Sequence, residues 1–455
     1  MTGKTESPAL LTGIEVRGLL GQFDHNVSFD PDYEFIILHG PNGVGKTTLL
    51  ELISAIFNLQ TGKIIATPFD SARLLFSDGA SLTVDKTEQL TLPDISEDHG
   101  DITLYVNLVT PAGKEYPWRA ENNTARMDPA FLRFLERDTS FKRMPSGLWR
   151  DRRTGRVADI KEIADRYGIP RSQGIPSLRD VPIEIREYLD SINVHLIETQ
   201  RLLSAQRTAR KRPLEEGELN MATVIEFSED LAKRFRDELA KNSRISQQLD
   251  KQFPRQLLHG GSEPPDDATE ENIRSRYDEQ GILRRRLSDI SLLDTSDEIP
   301  LPEGTMPPWQ RLVLWNYLND TETKLKTFES LLKKIDLLQD IVDSRFLQKK
   351  LVIDREQGLR FKTSGGTLLH PGQLSSGEQH ELVLIYELLF NADPYSLVLI
   401  DEPEISLHVT WQQAFMGDLI KIASLVPLRF IVATHSPQIV HTWRSRMIPL
   451  LAEDR

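Results

Sequence analysis

Three short apolar runs in this chain each end in a polar segment, which is the pattern of a buried β-strand leading into a turn. They lie within Tyr33 to Thr48 (YEFIILHGPNGVGKTT), Ser396 to Glu404 (SLVLIDEPE) and Phe430 to Pro437 (FIVATHSP). After the first run, a glycine-rich turn is followed by TLLELISAIFN, which has the spacing of a helix. A strand, a loop and a helix in this order predict an α/β fold.

Two further patterns surround these runs. Between Ile64 and Val109, the alternating segments ARLLFSDGASLTV and ITLYVNLV are separated by turn residues and predict antiparallel strands of a β-lobe. From about Asn220 to Gln348 the pattern is mainly helical. We expect Pro254, the Pro-Pro pair at 264 and the PEGTMPP segment near 302 to break this region into separate helices.

The last of these helices has the clearest periodicity. Its apolar residues recur at steps of three and four: Leu325, Phe328, Leu332, Ile335, Leu338, Val342 and Phe346. Such a stripe suits a paired helix or a short coiled coil, and at ~1.5 Å per residue forty residues span about 60 Å. A docking arm and a helical subdomain packed on the rest of the protein are equal interpretations.

Composition limits the class of protein. With 455 residues the chain is long enough for two or three domains, and 39% apolar with 27% charged residues indicate that most of it folds. The lack of cysteine excludes disulfides, thiolate nucleophiles and Cys-ligated metal sites. The N-terminal segment lacks the pattern of a signal peptide and no run approaches ~20 apolar residues, so we expect a cytoplasmic protein without a membrane partner.

The charge is acidic overall, with local exceptions. A net charge of −13 argues against general attraction to nucleic acid, so a DNA, RNA or DNA-mimicking partner would need a basic patch. Basic residues cluster in three places, at Arg133 to Arg156 (Arg137, Lys142, Arg143, Arg150, Arg152, Arg153), at Arg201 to Arg212 (Arg207, Arg210, Lys211), and at Arg284, Arg285 and Arg286. Each cluster is either a solvated face or such a patch.

The glycine-rich turn carries the first recognisable chemistry. Residues 40–47 fit the P-loop pattern G-x-x-x-x-G-K-[ST] in full, in which backbone N–H groups converge on phosphate oxygens, Lys46 reaches the β- and γ-phosphates and Thr47 ligates magnesium. We therefore predict ATP and Mg²⁺ as ligands. The predicted binding residues of this loop are Gly40, Pro41, Asn42, Gly43, Val44, Gly45, Lys46, Thr47 and Thr48.

The run SLVLIDEPE ends in two acids. This is the Walker B arrangement, in which Asp401 holds magnesium, directly or through water, and Glu402 polarises the attacking water. By itself an apolar strand ending in Asp-Glu is as often a mere strand terminus. Together with the P-loop, it predicts Thr47 and Asp401 as metal ligands and Glu402 as a catalytic base.

Residues Leu374 to Gln379 (LSSGEQ), followed by HELVLIYELLF, resemble the signature motif of ABC-type ATPases. Ser376 replaces the first glycine of the commoner LSGGQ. A serine hydroxyl and glycine backbone at a helix N-terminus can clamp the γ-phosphate held by a second subunit, which predicts Ser375, Ser376, Gly377 and Glu378 as nucleotide contacts. An ordinary N-capped helix is the other interpretation.

Two more segments continue the order of that family. Residues Pro403 to His408 match the D-loop, which in ABC ATPases runs across the dimer interface. His435 matches the switch histidine that contacts the γ-phosphate, so the resemblance implies that it is a catalytic residue beside Glu402. The resemblance implies an ABC-type P-loop ATPase head, a mixed sheet with a β-lobe. The glutamine of the family's Q-loop has no clear position, and the candidates are Gln60, Gln89, Gln173 and Gln200, with Arg201 beside the last.

Spacing predicts the domain organisation. Lys46 and Leu374 are 328 residues apart, far more than in a transporter's compact nucleotide-binding domain, so a mainly helical insertion interrupts the head. We expect the N-terminal part of the head with the P-loop and β-lobe at 1–127 and a mixed insertion with basic clusters at 128–215. A helical arm or docking region follows at 216–350, and the C-terminal part of the head, with signature, Walker B and switch histidine, at 351–455.

Over about half of the chain, these motifs resemble the ABC-type ATPases of the OLD, RecF and Rad50 group. The segments HPGQLSSGEQHELVLIYELLF, SLVLIDEPEISLHVTWQ and ATHSPQIV are most similar to stand-alone ATPases of bacterial anti-phage defence, above all the ATPase subunit of the PARIS system, with Septu and retron ATPases as close alternatives.

The resemblance implies a sensor or regulator that forms at least a homodimer, with a larger ring as the alternative. It also implies a Toprim-type nuclease effector supplied in trans, since only twenty residues follow His435, and a phage-encoded trigger protein, for which an acidic DNA mimic is a candidate. A RecF-like repair ATPase that binds DNA in an ATP-dependent way is the alternative function. A transporter's cytoplasmic ATPase is a third, disfavoured by the spacing.

Overall fold

The structure is a computed structural model that describes residues 9–88, 102–121, 141–144, 148–152, 157–158, 163, 181–198, 216–259, 263–294, 300–405 and 407–450. The chain divides into two compact units. The first comprises residues 1–215 and 392–455, and the second residues 216–391. The motif segments therefore belong to different units: the P-loop, Walker B and His435 lie in the first, and the signature segment lies in the second.

In the described ranges the strands are, in chain order, β1 Leu11–Leu19, β2 Phe23–Ser28, β3 Phe35–His39, β4 Ser71–Phe76, β5 Ser81–Glu88, β6 Ile102–Val109, β7 Glu115–Glu121, β8 Phe141–Arg143, β9 Trp149–Asp151, β10 Val157–Ala158, β11 Val194–Glu198, β12 Lys349–Asp354, β13 Gly358–Thr363, β14 Leu368–Leu369, β15 Leu397–Asp401, β16 Arg429–Thr434 and β17 Met447–Pro449.

The α-helices of the same ranges are α1 Lys46–Phe57, α2 Thr61–Ala66, α3 Ile183–Asp190, α4 Glu216–His259, α5 Glu270–Asp289, α6 Pro308–Arg345, α7 Ser376–Tyr386, α8 Val409–Leu425 and α9 Pro437–Val440. Short 3₁₀ turns occur at Pro371–Gln373, Pro403–Ile405 and Arg444–Arg446, and a π-helical turn at Glu387–Asn391. None of the helices in these ranges is both long and apolar enough to cross a membrane.

A parallel sheet forms the centre of the first unit. Its strand order is β11-β15-β16-β3-β17, and every neighbouring pair is parallel. The three apolar runs of the sequence are β3, β15 and β16, as predicted, and they lie side by side. Because parallel strands end at the same edge of a sheet, the segments that follow His39, Asp401 and Thr434 emerge together. This edge brings together the P-loop, Walker B and the switch histidine.

An antiparallel sheet of order β2-β1-β4-β5-β6-β7 lies in the same unit and shares a core with α1. The predicted antiparallel strands are β4, β5 and β6, and β1, β2 and β7 extend them beyond the prediction. Ile64 and Ile65, which precede the two alternating segments, are buried on α2. The fold class is confirmed as mixed α/β with a P-loop between a parallel strand and a helix.

The second unit contains the long helices. All seven residues of the predicted stripe are buried; six lie on α6 and the last, Phe346, directly follows it. That helix, α6, packs against α4, where Asn242 Nδ2 donates to Lys324 O at 2.7 Å, and against α5, where Gln280 Nε2 donates to Leu318 O at 2.9 Å. The helix that carries the stripe is therefore paired with α4 and α5, as predicted.

One predicted helix break is wrong. Helix α4 continues through Pro254 to His259, whereas the segments around Pro264 and Pro302 do lie between helices. A proline inside a helix removes one backbone hydrogen bond and crowds the carbonyl four residues earlier. Here that loss falls in the last two turns of a 44-residue helix, where the rest of the helix is unaffected.

Candidate functional site

The glycine-rich loop between β3 and α1 needs its glycines for two reasons. Gly43 and Gly45 both have φ of +89°, in the left-handed region that favours glycine. A Cβ added to Gly45 would also lie 2.8 Å from Leu19 Cδ2, and one added to Gly40 would lie 2.7 Å from the carbonyl oxygen of Leu450. The loop backbone is thus shaped by its conformation at Gly43 and by close packing at Gly40 and Gly45.

Lys46 is the first residue of α1 and only 5% exposed. Its Nζ donates to the carbonyl oxygens of Gly40 at 2.9 Å and Pro41 at 3.0 Å. These acceptors are neutral, so they hold the ammonium in place without cancelling its charge. The arrangement leaves a positive charge at the loop and at the N-terminus of a helix, where an anion is favoured.

The remaining P-loop residues differ in exposure. Pro41, Asn42, Gly43 and Thr47 are exposed, Thr48 is half-buried and Val44 is buried. Val44 is held from the antiparallel sheet, because Nε2 of the buried His25 on β2 lies 2.8 Å from its carbonyl oxygen and must donate to it. His25 gave no signal in the sequence, since a lone histidine on a strand is ordinarily structural.

Asp401 is the last residue of β15, in register with Glu198 of β11 and Ala433 of β16. The next residue, Glu402, has φ of +44°, a conformation that costs a non-glycine residue about 1–3 kcal/mol. Its backbone N–H donates to Ala433 O at 2.9 Å. The tight turn directs the chain away from the strand immediately after the two acids.

His435 follows β16 and lies next to two carboxylates. Its Nδ1 is 3.1 Å from Glu404 Oε1 and 3.7 Å from Glu402 Oε1. Glu404 is 7% exposed in its side chain, whereas His435 is 44% exposed. The structure thus places the two predicted catalytic residues, Glu402 and His435, together, and adds Glu404, which the sequence analysis did not single out.

The predicted signature residues begin α7 in the second unit. Ser375 caps the helix, and Ser375 and Ser376 are exposed while Gly377 is half-buried. Glu378 differs from these, since it is 8% exposed and its carboxylate accepts from the backbone N–H of Ser375 at 2.8 Å and from Lys349 Nζ at 2.7 Å. The carboxylate of Glu378 thus holds Ser375 and the start of the helix, and its role as a nucleotide contact stays a prediction.

Two ionic contacts connect α7 to the end of α6 and to the start of β12. Burial raises the pKa of Glu378, but the hydrogen bonds from Lys349 and Ser375 lower it by more than burial raises it. The pKa of Glu378 therefore lies below its ordinary value. One turn along α7, Glu381 pairs with Arg345, and their side chains are 1% and 6% exposed. Burial lowers the pKa of Arg345 to about 10.

Gln89, Gln173, Gln200, Arg201 and Ser406 lie outside the described residues, as does the basic cluster at 201–212. Gln60 is described and precedes α2, with its backbone N–H donating to Ala55 O at 2.8 Å. The strand that precedes Gln200, β11, ends beside Asp401.

A family model described as "AAA domain, putative AbiEii toxin, Type IV TA system" matches residues 214–441, just over half of the chain. The chain belongs to this family. A second model, described as "ABC transporter", matches residues 25–126, which include the P-loop. Together the two matches show that the chain carries an ABC-type P-loop ATPase domain.

Two curated relatives match shorter stretches. The "Retron Ec83 probable ATPase" of Escherichia coli is 41% identical over 90 residues, covering 17% of this chain and 16% of the relative. The "Cytochrome c biogenesis ATP-binding export protein CcmA" of Ruegeria sp. (strain TM1040) is 38% identical over 58 residues, covering 13% of this chain and 28% of the relative. The chain thus spans less than a third of the length of either relative.

Solved structures with some likeness include heads of SMC proteins. An Smc head domain with an extended coiled coil bound to the C-terminal domain of ScpA from Pyrococcus furiosus is 14% identical, with a TM-score of 0.35, over 98% of this chain and 94% of that one. The SMC head domain from Thermotoga maritima is 10% identical, with a TM-score of 0.30, over 94% and 90%. At such scores the fold description rests on the strand order and the P-loop geometry themselves.

Proposed function

We propose that this protein is a Mg²⁺-dependent, ABC-type ATPase that hydrolyses ATP to ADP and phosphate. The observation that carries the proposal is the shared edge of the parallel sheet. There β3, β15 and β16 present the loop of Lys46, the acids Asp401 and Glu402, and the imidazole of His435. A phosphate cradle and a carboxylate pair are recurring parts of sites for phosphoryl transfer to water, and His435 lies beside the pair.

The residues present fit a magnesium-bound nucleotide. Gly43 and Gly45 in the left-handed region form a loop with its backbone open to phosphate, and the uncancelled charge of Lys46 attracts it. Thr47 and Asp401 would hold the metal, as hard oxygen ligands suited to magnesium. When bound, magnesium would neutralise part of the negative charge of the phosphates.

The chain's own residues then have separate tasks. Lys46 binds the β- and γ-phosphates, and Glu402 accepts a proton from the attacking water. His435, whose Nδ1 lies 3.7 Å from Glu402 Oε1, contacts the γ-phosphate. Glu402→Gln keeps the shape of this side chain while removing the base. We expect it to bind ATP and to lose most hydrolysis.

The signature residues support assembly into at least a dimer. Ser375 and Ser376 are exposed at the N-terminus of α7, a position suited to an anion. In the proposed complex, each subunit's P-loop holds one ATP and Ser375, Ser376 and Gly377 of the other subunit contact its γ-phosphate. A larger ring built from such pairs is the alternative assembly.

The first experiment measures phosphate release by the purified chain with ATP and magnesium. Wild type, Glu402→Gln and, as control, Glu356→Gln at an exposed turn are compared. We expect hydrolysis by wild type and the control, and loss in Glu402→Gln. Light scattering with ATP present should show Glu402→Gln at twice the monomer mass. Wild type without magnesium-dependent hydrolysis would refute the activity.

At the cellular level we propose a cytoplasmic sensor or regulator in anti-phage defence, controlling a nuclease supplied in trans. Support comes from the family's description and from the name of the retron relative, and the PARIS-type ATPase is our specific assignment. Purification of the tagged protein from its host, with ATP and magnesium present, should recover a nuclease of Toprim type in defined stoichiometry. Recovery without any nuclease counts against this assignment.

A DNA-binding ATPase of the RecF type is the second candidate. It is favoured by β8 and β9, where Lys142 stands directly opposite Arg150 on exposed positions. Like charges in direct cross-strand pairs destabilise a sheet unless an anion lies between them. Salt-sensitive DNA binding that increases with ATP and is lost in Lys142→Gln/Arg150→Gln would support this function over the nuclease-control assignment.

A further inference from the structure

We propose that Glu404 is a positioning residue of the hydrolytic site. Its carboxylate holds the chain after β16 and keeps a proton on Nδ1 of His435, so that Nε2 is the nitrogen presented for chemistry. The proposal rests on the function proposed above. It adds a residue between the Walker B acids and the switch histidine.

The first support is the number of donors that converge on one oxygen. Glu404 Oε1 accepts from Thr434 Oγ1 at 2.7 Å, from the backbone N–H of His435 at 2.8 Å and from the backbone N–H of Ser436 at 3.2 Å. The donors belong to three successive residues. Hydrogen bonds to an ionised acceptor are roughly twice as strong as neutral ones, so this carboxylate fixes the backbone that carries His435.

The second support is the imidazole itself. Nδ1 of His435 lies 3.1 Å from the same oxygen of Glu404. An ionised carboxylate only accepts, so a hydrogen bond at this distance requires the hydrogen to be on Nδ1. In the neutral ring Nε2 is then an acceptor, and in the imidazolium it becomes a donor to an anion.

The third support is the environment of the carboxylate. Glu404 is almost completely buried, yet its Oε2 has no hydrogen-bond partner within the described part of the protein. A buried polar atom without a partner costs about 1–3 kcal/mol, and burial of the carboxylate's charge adds to that cost. A buried negative charge beside a histidine is better explained by its effect on the imidazole.

Gln412 extends the same contact network to the predicted D-loop. Its Nε2 donates to the carbonyl oxygens of Glu404 at 3.2 Å and Leu407 at 3.1 Å, and its Oε1 accepts from Ser436 Oγ at 2.7 Å. The segment after Walker B and the segment after β16 are therefore joined twice. A shift of the D-loop would reach His435 through Glu404.

Two substitutions separate the effect on the imidazole from the effect on the backbone. Glu404→Gln keeps an oxygen for Thr434 and the two backbone donors but removes the charge, whereas Glu404→Ala removes both. We compare kcat, KM and thermal stability of the full chain for these variants, for His435→Gln, for the double variant Glu404→Gln/His435→Gln, and for Glu356→Gln as control.

We expect Glu404→Gln to lower kcat by at least about tenfold, with KM, stability and affinity for a slowly hydrolysed ATP analogue little changed. The double variant should be no slower than His435→Gln alone, because residues that act as a unit are not additive. Wild-type kcat in Glu404→Gln, or a double variant whose loss is the product of the two single losses, would overturn the proposal.

A measurement independent of turnover distinguishes this proposal from the function on which it rests. In chain labelled with ¹⁵N-histidine, the His435 resonances are assigned by their loss in His435→Gln. We expect Nδ1 to be protonated in wild type and the tautomer to change in Glu404→Gln. If wild type and Glu404→Gln have the same tautomer, the role of Glu404 is refuted. If the tautomer differs between them but wild type does not hydrolyse ATP, only the ATPase function is refuted.

Discussion

Lys349 Nζ lies 2.7 Å from Glu378 Oε2, the oxygen that also accepts from the backbone and the hydroxyl of Ser375. One carboxylate oxygen thus serves a salt bridge and the cap of α7. The charge of Lys349 is used to hold the position of Ser375, the residue that we expect to contact nucleotide in a second subunit. The structure in this way connects β12, where Lys349 lies, to the signature helix.

The lowered pKa of Glu378 predicts a pH dependence of stability. A group whose pKa is lower in the folded state contributes stability that is complete above its ordinary value of 4.5 and is lost as the pH falls through the folded-state pKa. The stability difference between wild type and Glu378→Gln in denaturant unfolding should therefore be largest at pH 7 and should shrink as the pH falls below 4.5. A constant difference across this range would contradict the prediction.

The same substitution at two P-loop glycines, Gly43→Ala and Gly45→Ala, should lower the free energy of unfolding by different amounts. Gly43 and Gly45 have the same φ of +89°, but only at Gly45 would a Cβ meet Leu19 Cδ2, at 2.8 Å. We expect Gly43→Ala to cost about 1 kcal/mol from the backbone alone and Gly45→Ala to cost about 1–3 kcal/mol more through overpacking. Unfolding free energies in urea measure both, and equal losses would show that Leu19 moves aside freely.

Replacing Lys46 should weaken the binding of ATP without unfolding the protein. Lys46→Met keeps the buried stem but removes the ammonium that donates to Gly40 and Pro41. We expect affinity for ATP to fall by at least tenfold, about 1.4 kcal/mol, while the melting temperature changes little. Lys362→Met on an exposed position of β13 is the matched control, and undiminished affinity in Lys46→Met would contradict the assigned phosphate contact.

The buried pair of Arg345 and Glu381 predicts a rescue. Removing only the cation in Arg345→Met leaves a carboxylate that is 1% exposed, which costs roughly 3–5 kcal/mol. Replacing both in Arg345→Met/Glu381→Leu should recover most of that loss, since apolar residues of similar volume pack in place of the pair. Urea unfolding of the two variants and wild type tests this, and a double variant as unstable as the single one would oppose it.

Sequence reasoning found the motifs and the strands that carry them because both are local. The strand of Phe35–His39, the glycines after it and the helix that begins at Lys46 are contiguous, and each has a short-range physical cause. The helix break expected at Pro254 was wrong because a proline's effect depends on where the helix ends, which the sequence pattern does not show. Glu404 was quoted within the D-loop segment, but its partners are thirty residues away and its role was not seen.

The sequence alone determined the phosphate loop, the acids after an apolar strand, the helical stripe and the class of fold, because hydrophobic periodicity and turn chemistry act over a few residues. The tertiary structure decided which polar groups meet: Glu404 with His435, Lys349 with Glu378, and His25 with Val44. These contacts depend on strand order and on the ends of helices. The free energy that selects them comes from burying side chains that lie far apart along the chain.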